Sequence, residues 1–458
     1  MTKFFIFSVV IISLFSCENK NTPNLSEERI KKLMNDSTVF PRSNSNDIPT
    51  GIRYTEIRTI DPFTPPEILD IAGNLENRRI FKLSDIASSV RYVILRQPPD
   101  KKYSSIFGFS SDDKHIFINT MQGLFCYSAE GLYLYNMKNQ REFPVEEGGL
   151  KMFVAQASYG NIDLFNGKLA HRVLGNQGYD DYLSIFDVKE LDAQMLFNSQ
   201  PVELKTTSIK PKYQIKLSGQ SRGGVRLFMD DQSFFHDGSL TSISVYGDTL
   251  CKFNDHIPPI FISTTLTLGF STDIYRINGQ VTLVRSNNDT VFRVLPPNHL
   301  APAYVMHWGE YKPDFNNRAT GLDFEGSFFL GDWVESPRFI FIRYSEGRDY
   351  PRRREQGRVK DYWAIYDKTT KTLTHHFTPF KPVITGNVLM IPPLIENDID
   401  QVGMPFWPHG LNHKEEMFMM FSKYQIDLYI ASGNYRNEKL QAISDNMPDD
   451  GFCLMIVK

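Results

Sequence analysis

The chain has 458 residues, too many for one ordinary core, and length alone suggests about three domains unless a repeat architecture absorbs it. Hydrophobic residues make up 41%, charged 22% and aromatic 13%, with 35 Phe and 21 Tyr, which excludes a disordered or collagen-like chain and favours β structure. A net charge of -3 leaves no basic footprint for duplex recognition, so no nucleic-acid partner is expected.

The first residues run from Lys3 through an apolar stretch, Phe4 to Phe15, broken only by Ser8 and Ser13. This is a secretory segment, too short to span a membrane. It ends in Leu14-Phe15-Ser16-Cys17, which resembles the bacterial lipobox, so residues 1–16 are expected to be a lipoprotein signal and Cys17 the acylated mature N-terminus. The sulfur supplies the nucleophile, and buried acyl methylenes at about 0.8 kcal/mol each supply the anchor. Residues 17–51 are polar and interrupted by Pro23, Pro41 and Pro49. They read as a flexible tether, with a reach on the order of 30 Å.

From residue 52 to 458, short aromatic and β-branched runs alternate with Gly, Asn and Asp turns. Lys114–Asn119, Gly123–Ser128 and Leu132–Tyr135 form one three-strand meander. Four similar units follow, around 162–187, 240–253, 274–294 and 338–377. Glu416–Phe421, Gln425–Ala431 and Gly451–Val457 supply strands for a sixth, and the early strand Ser89–Leu95 is left over. A meander with two apolar faces must be covered on both sides, and radial stacking does this for a long all-β chain. The predicted fold is therefore an all-β, six-bladed β-propeller, closed by pairing the N- and C-terminal strands, which removes exposed edges. Six blades give about 68 residues each, against roughly 40 to 50 in compact propeller repeats, so seven or eight blades and a two-domain sandwich stay open.

Three segments carry a family resemblance: Ile68–Asn77 with Phe81–Ala87 and Val90–Leu95, then Asn288–Arg293 leading to Pro302–Tyr311, then Asp445–Pro448 with Cys453–Lys458. Together they resemble the six-bladed β-propeller lipoproteins of Gram-negative gut-type bacteria. The resemblance implies an outer-membrane lipoprotein of the cell envelope, periplasmic or surface-facing. It implies no particular activity, because a fold does not fix a function.

The chemistry-bearing residues are sparse. Cys126, Cys251 and Cys453 lie in apolar runs without C-x-x-C spacing, as buried small hydrophobes do, so neither a disulfide framework nor a metal site is expected. His409 and His413 have zinc-like spacing but flank Gly410 after Pro408, and the Glu of a H-E-x-x-H helix is missing. His375 and His376 point to opposite faces of a strand, one expected in the core and one at the surface. The pairs Asp112-Asp113, Asp180-Asp181 and Asp230-Asp231 sit in turn contexts. No nucleophile elbow, Walker loop or EF-hand loop occurs, so no cofactor and no enzymatic activity is expected.

The strongest charge asymmetry is Arg338 to Lys360, eight Lys/Arg against three acids, with Arg352, Arg353 and Arg354 at its centre. The family pattern does not account for this loop. Guanidinium forks suit carboxylates and phosphates, so these three are candidate ligands for an anion. Trp333 and Trp407, beside Gly- or Pro-rich turns, are candidate surface platforms for sugars, whereas Trp363 lies in an alternating strand and reads as core. The expectation is a lipid-anchored binding module for a glycan, an anionic ligand or an envelope protein. A polysaccharide-processing hydrolase or lyase, and a structural partner of an outer-membrane complex, are the alternatives.

Overall fold

In the computed structural model, the described residues are 64–96, 106–138 except 121, 162–173, 181–196, 203–205, 211–217, 226–253 except 238 and 239, 272–313 except 287, 326–347, 359–377, 383–385, 388–391 and 394–458 except 433–436. They form six small sheets, blades I to VI, in a ring, and a separate two-stranded hairpin, 383–385 with 388–391. Blade I comprises 106–111, 115–120, 123–128 and 133–138; blade II, 162–165, 168–173, 181–187 and 213–217; blade III, 226–230, 233–236, 241–244 and 249–252. Blade IV comprises 272–277, 280–285, 290–295 and 299–307; blade V, 328–335, 339–346, 360–367 and 372–376; blade VI, 410–411, 417–422, 452–457 and 90–95.

Six hydrophobic clusters join the blades, one at each seam, which is the condition for a closed ring. Phe418, Phe452 and Leu454 of blade VI pack with Ile116 and Ile118 of blade I, and Phe117 and Leu124 of blade I pack with Leu164 and Phe186 of blade II. Ile185 meets Phe228 and Phe234, Met229 meets Leu283, Tyr304 meets Trp333, and Phe341 meets Met419 at the remaining four seams. Strand alternation explains the pattern. In Phe452–Val457, Phe452, Leu454 and Ile456 face blade I, while Cys453, Met455 and Val457 face blade V. Both faces are covered, so the strand reads as an unbroken apolar run and all six residues are buried.

The ring closes as the sequence predicts. Val90–Leu95 pairs antiparallel with Phe452–Val457, Val90 opposite Val457 and Leu95 opposite Phe452. Gly131, at φ +84°, fastens this closure to blade I by accepting the N–H of Arg96, and a Cβ there would meet the Ile94 carbonyl oxygen at 2.2 Å. On its way to blade VI the N-terminal segment adds outer strands in parallel to two other blades: Glu67–Asp70 to blade IV and Arg78–Arg79 to blade V. These additions, with inserted helices, account for part of the excess length per blade.

One predicted strand is corrected. Lys423–Ala431 is an α-helix, because Ser422 and Gln425 form a reciprocal capping box and Ile426 and Tyr429, three apart, are buried on one face. The fourth strand of the blade is instead the short innermost Gly410–Leu411, paired with Met417–Ser422. A second helix, Glu438–Asp445, capped by Asn437, completes the insertion between the two middle strands of blade VI.

Candidate functional site

The innermost strands surround a cavity of about 450 Å³ on the ring axis, to which all six blades contribute. Hairpins that leave the inner strands of blades I, II, IV and VI contribute to its wall. Two are Asn-Gly turns, Asn166-Gly167 and Asn278-Gly279, with all four residues at positive φ. Glu415, on the blade VI hairpin, accepts the backbone N–H of Asn278 on blade IV, so a hydrogen bond reaches past blade V at the rim.

The wall is rich in carboxylates, each with its own surroundings. Asp163 receives both Nη groups of Arg276, at 3.1 and 2.8 Å, and the Phe228 N–H at 2.7 Å, which ties blades II, III and IV together. The Arg276 guanidinium also lies over the Phe165 ring, 4.5 Å from its centroid. Glu335, wholly buried, accepts both Nη groups of Arg293 at 2.8 and 2.7 Å, the hydroxyls of Tyr275 and Tyr304 at 2.8 and 2.9 Å, and Nζ of Lys368 at 3.0 Å. Burial alone would raise its pKa, but the Arg293 hydrogen bonds and charge, with Lys368 and Tyr275, hold it down to about 2.

Asp332 and Asp273 form a contrasting pair on blades V and IV. Asp332 is salt-bridged to Arg343 Nε, and Arg343 also reaches Asp361 at 3.5 Å. Gly331 leaves room for this guanidinium, since a Cβ there would stand 3.2 Å from its carbon. Asp273 receives the backbone N–H of Trp333. Burial first, and the Asp332 charge second, push its pKa up to about 8 against that hydrogen bond and Arg343. Its carboxyl is therefore largely protonated at neutral pH. His409 lines the same cavity; burial pushes it down to about 4, and its Nδ1 accepts the Met420 N–H at 3.3 Å.

Of the residues singled out in the sequence, Asp112, Trp333, His409 and His413 line the cavity, and the other described ones fall elsewhere. Cys17 and Arg352, Arg353 and Arg354 lie outside the described residues. Trp333 and Trp407 are not surface platforms: they are 3% and 2% exposed. Trp333 alternates inward along strand 328–335 and donates Nε1–H to the Tyr275 hydroxyl at 2.6 Å, while Trp407 packs edge-on against Trp363 at the seam of blades V and VI. Trp363 is core, as expected.

The basic stretch is neutralised where it is described. Arg338 pairs with Asp367 at 2.9 Å and Lys360 with Glu346 at 3.1 Å, while Arg343 holds Asp332 and Asp361. The expectation of one core and one surface histidine also fails. His375 and His376 are both buried, because each face of their strand is covered: His375 meets the Tyr344 hydroxyl at 2.6 Å, and His376 accepts the Phe81 N–H. Asp112 and Asp230 cap their own turns, as their contexts predict. His413 bonds Ser111 and Asp113, and among the described residues no three His, Cys, Asp or Glu are grouped to hold a metal. The three described cysteines are buried, as expected.

The family model for a domain of unknown function, DUF4933, matches residues 49–432. The chain belongs to that family. No curated protein matches it. Among solved structures it is similar to a putative exported protein from Bacteroides fragilis, at 12% identity and a TM-score of 0.49, over 86% of this chain and 99% of that one. It is similar also to a member of the DUF4221 family from Bacteroides vulgatus, at 10% identity and a TM-score of 0.38, over 81% of this chain and 97% of that one. A further similarity is to virginiamycin B lyase from Staphylococcus aureus, at 10% identity and a TM-score of 0.31, over 81% and 99%.

The cavity carboxylates Asp163, Asp273, Asp332 and Glu335 were not singled out in the sequence. Asp163, Asp273 and Asp332 meet only because the ring brings distant inner strands to one axis. The available signal is a weak recurrence, an Asp followed by two apolar residues: Asp163-Leu164-Phe165, Asp273-Ile274-Tyr275 and Asp332-Trp333-Val334.

Proposed function

We propose that this protein is a lipid-anchored β-propeller of the cell envelope that binds a small polar ligand in its axial cavity. The cavity carries the proposal: about 450 Å³ is room for a small ligand, and its polar groups are held in place by partners on neighbouring blades. The apolar leader and Cys17 support the anchor, and no helix among the described residues is long and apolar enough to cross a membrane. Thermal-shift titration with sugars, amines and short peptides is expected to raise the Tm with at least one class. Leu411→Trp, which fills the cavity wall, should abolish that rise while the circular dichroism spectrum stays native. No rise with any class would defeat the binding assignment. Cys17→Ala should release the protein from membranes, and retention without acylation would contradict the anchor. Neutralising Arg352, Arg353 and Arg354 tests the remaining basic loop, by loss of salt-sensitive binding to an acidic glycan.

A second reading, a polysaccharide hydrolase or lyase, is favoured by one observation: a protonated carboxyl, Asp273, lies beside a salt-bridged one, Asp332, in the same cavity. Arg343 engages the carboxylate that would have to act as base, which is why binding is preferred. Release of reducing ends from a glycan panel, lost in Asp273→Asn, would reverse the preference.

A further inference from the structure

We propose that the ligand of the axial cavity is an uncharged sugar, held by its hydroxyls against an arc formed by Asp273, Asp332 and His409. The proposal rests on the binding assignment above and names the class of ligand. Asp273 and Asp332 stand on the inner strands of blades IV and V, and His409 directly precedes that of blade VI, so the three come from consecutive blades. Each lines the cavity and is only partly buried. His409 Nδ1 accepts the Met420 N–H, so the neutral ring carries its proton on Nε2, and among the described residues that N–H has no partner. Asp332 gives Oδ2 to Arg343 and keeps Oδ1 unpaired among the described residues. Asp273 takes the Trp333 N–H, and a carboxyl offers further acceptor positions beyond one such bond, protonated or not. The arc therefore presents acceptor, acceptor and donor in turn.

Across the ring, Phe109, Leu164 and Leu227 of blades I, II and III supply apolar wall. The carboxylates on that side, Asp163 and Asp112, are closed by Arg276 and His115. This two-sided wall selects among ligands. Asp163, Glu335 and Asp332 are each locked to a guanidinium, so an ionic ligand would compete with a counter-charge already in place. Adjacent hydroxyls donate to the two carboxyls and accept the His409 N–H without bringing charge, while the C–H face of the same ring meets the apolar side. A peptide amide donates and accepts in opposite directions within one plane, so it cannot turn both functions to one arc.

The test is calorimetric titration of the full protein with glucose, galactose and mannose, each beside its uronate and its 2-amino counterpart, and with short peptides and simple amines as non-sugar probes. At least one neutral sugar is expected to bind, and its two charged counterparts to bind about tenfold or more weakly. Its affinity should change by less than about twofold when the salt concentration is raised, because no net charge is brought to the wall. His409→Asn keeps an acceptor for the Met420 N–H and lacks a donor at the Nε2 position. It should fold, by circular dichroism, and bind the sugar about tenfold more weakly. Phe109→Leu, a conservative change on the apolar side, should weaken it several-fold. Uronates or amino sugars that bind as tightly as the neutral sugar overturn the inference, as does a folded His409→Asn variant of unchanged affinity. Peptides or amines that bind where no neutral sugar does overturn it while sparing the binding assignment. A cavity that takes nothing ends both.

Discussion

Glu335 and Asp273 stand on the inner strands of adjacent blades, both line the axial cavity, and their carboxyls are driven in opposite directions. Glu335 is the more deeply enclosed, yet it is held at about 2, because five donor groups from Arg293, Tyr275, Tyr304 and Lys368 converge on it. Asp273 has a backbone N–H and a like-charged neighbour, and rises to about 8. Donor supply, rather than depth, decides which carboxyl is charged. One corner of the cavity is thus a fixed structural node, and the adjacent corner is free to respond.

The largest effect should come from dismantling the fixed corner. Glu335→Ala leaves Arg293 buried without its counter-charge and is expected to cost about 3–5 kcal/mol in urea unfolding. A loss below about 1 kcal/mol would mean that the node is not a structural tie.

The two carboxyls should also respond oppositely to pH. The native pKa of Glu335 lies below its ordinary 4.5, so its contribution is present above 4.5 and is lost as pH falls toward 2. The native pKa of Asp273 lies above its ordinary 3.8, so folding takes up a proton and stability declines as pH rises from about 4 to about 8. Asp273→Asn removes that decline. At pH 9 it should be more stable than the parent by more than about 1.4 kcal/mol, the worth of one pKa unit, and no more stable at pH 3. A gain independent of pH would contradict the assignment.

Two smaller changes sharpen the contrast. Trp333→Phe removes the N–H donated to Tyr275, a loss of about 1 kcal/mol by the same unfolding measurement. Asp332→Asn should bring the Asp273 midpoint down by about one pH unit, read by carbon-13 NMR of the carboxyl, and leave Glu335 where it is. An unmoved midpoint would assign the whole rise to burial.

The fold was legible because closure leaves an arithmetic trace. Val90–Leu95 had no local partner, and the C-terminal blade lacked a strand. Gln425–Ala431, predicted as a strand, lies in a helix because Ser422 and Gln425 form a cap, a local signal legible in the sequence. Trp333 and Trp407 were misplaced because neighbouring Gly and Pro suggest a turn, whereas both seams of a blade are covered and an aromatic residue near a turn can still be interior. The cavity carboxylates were beyond reach for a different reason. Their ionisation depends on donors such as Arg293 and Lys368 that arrive from other strands, and no local pattern encodes that meeting.

The clasp between Val90–Leu95 and Phe452–Val457 has a consequence for biogenesis. A chain made from its amino end must hold one half of the clasp open until almost the whole polypeptide is available. Until then blade VI lacks one of its two middle strands, Phe452–Val457, and the seams with blades I and V present bare apolar edges. Premature termination anywhere before Phe452 should therefore yield no smaller stable toroid, only a species that seeks another strand to complete it.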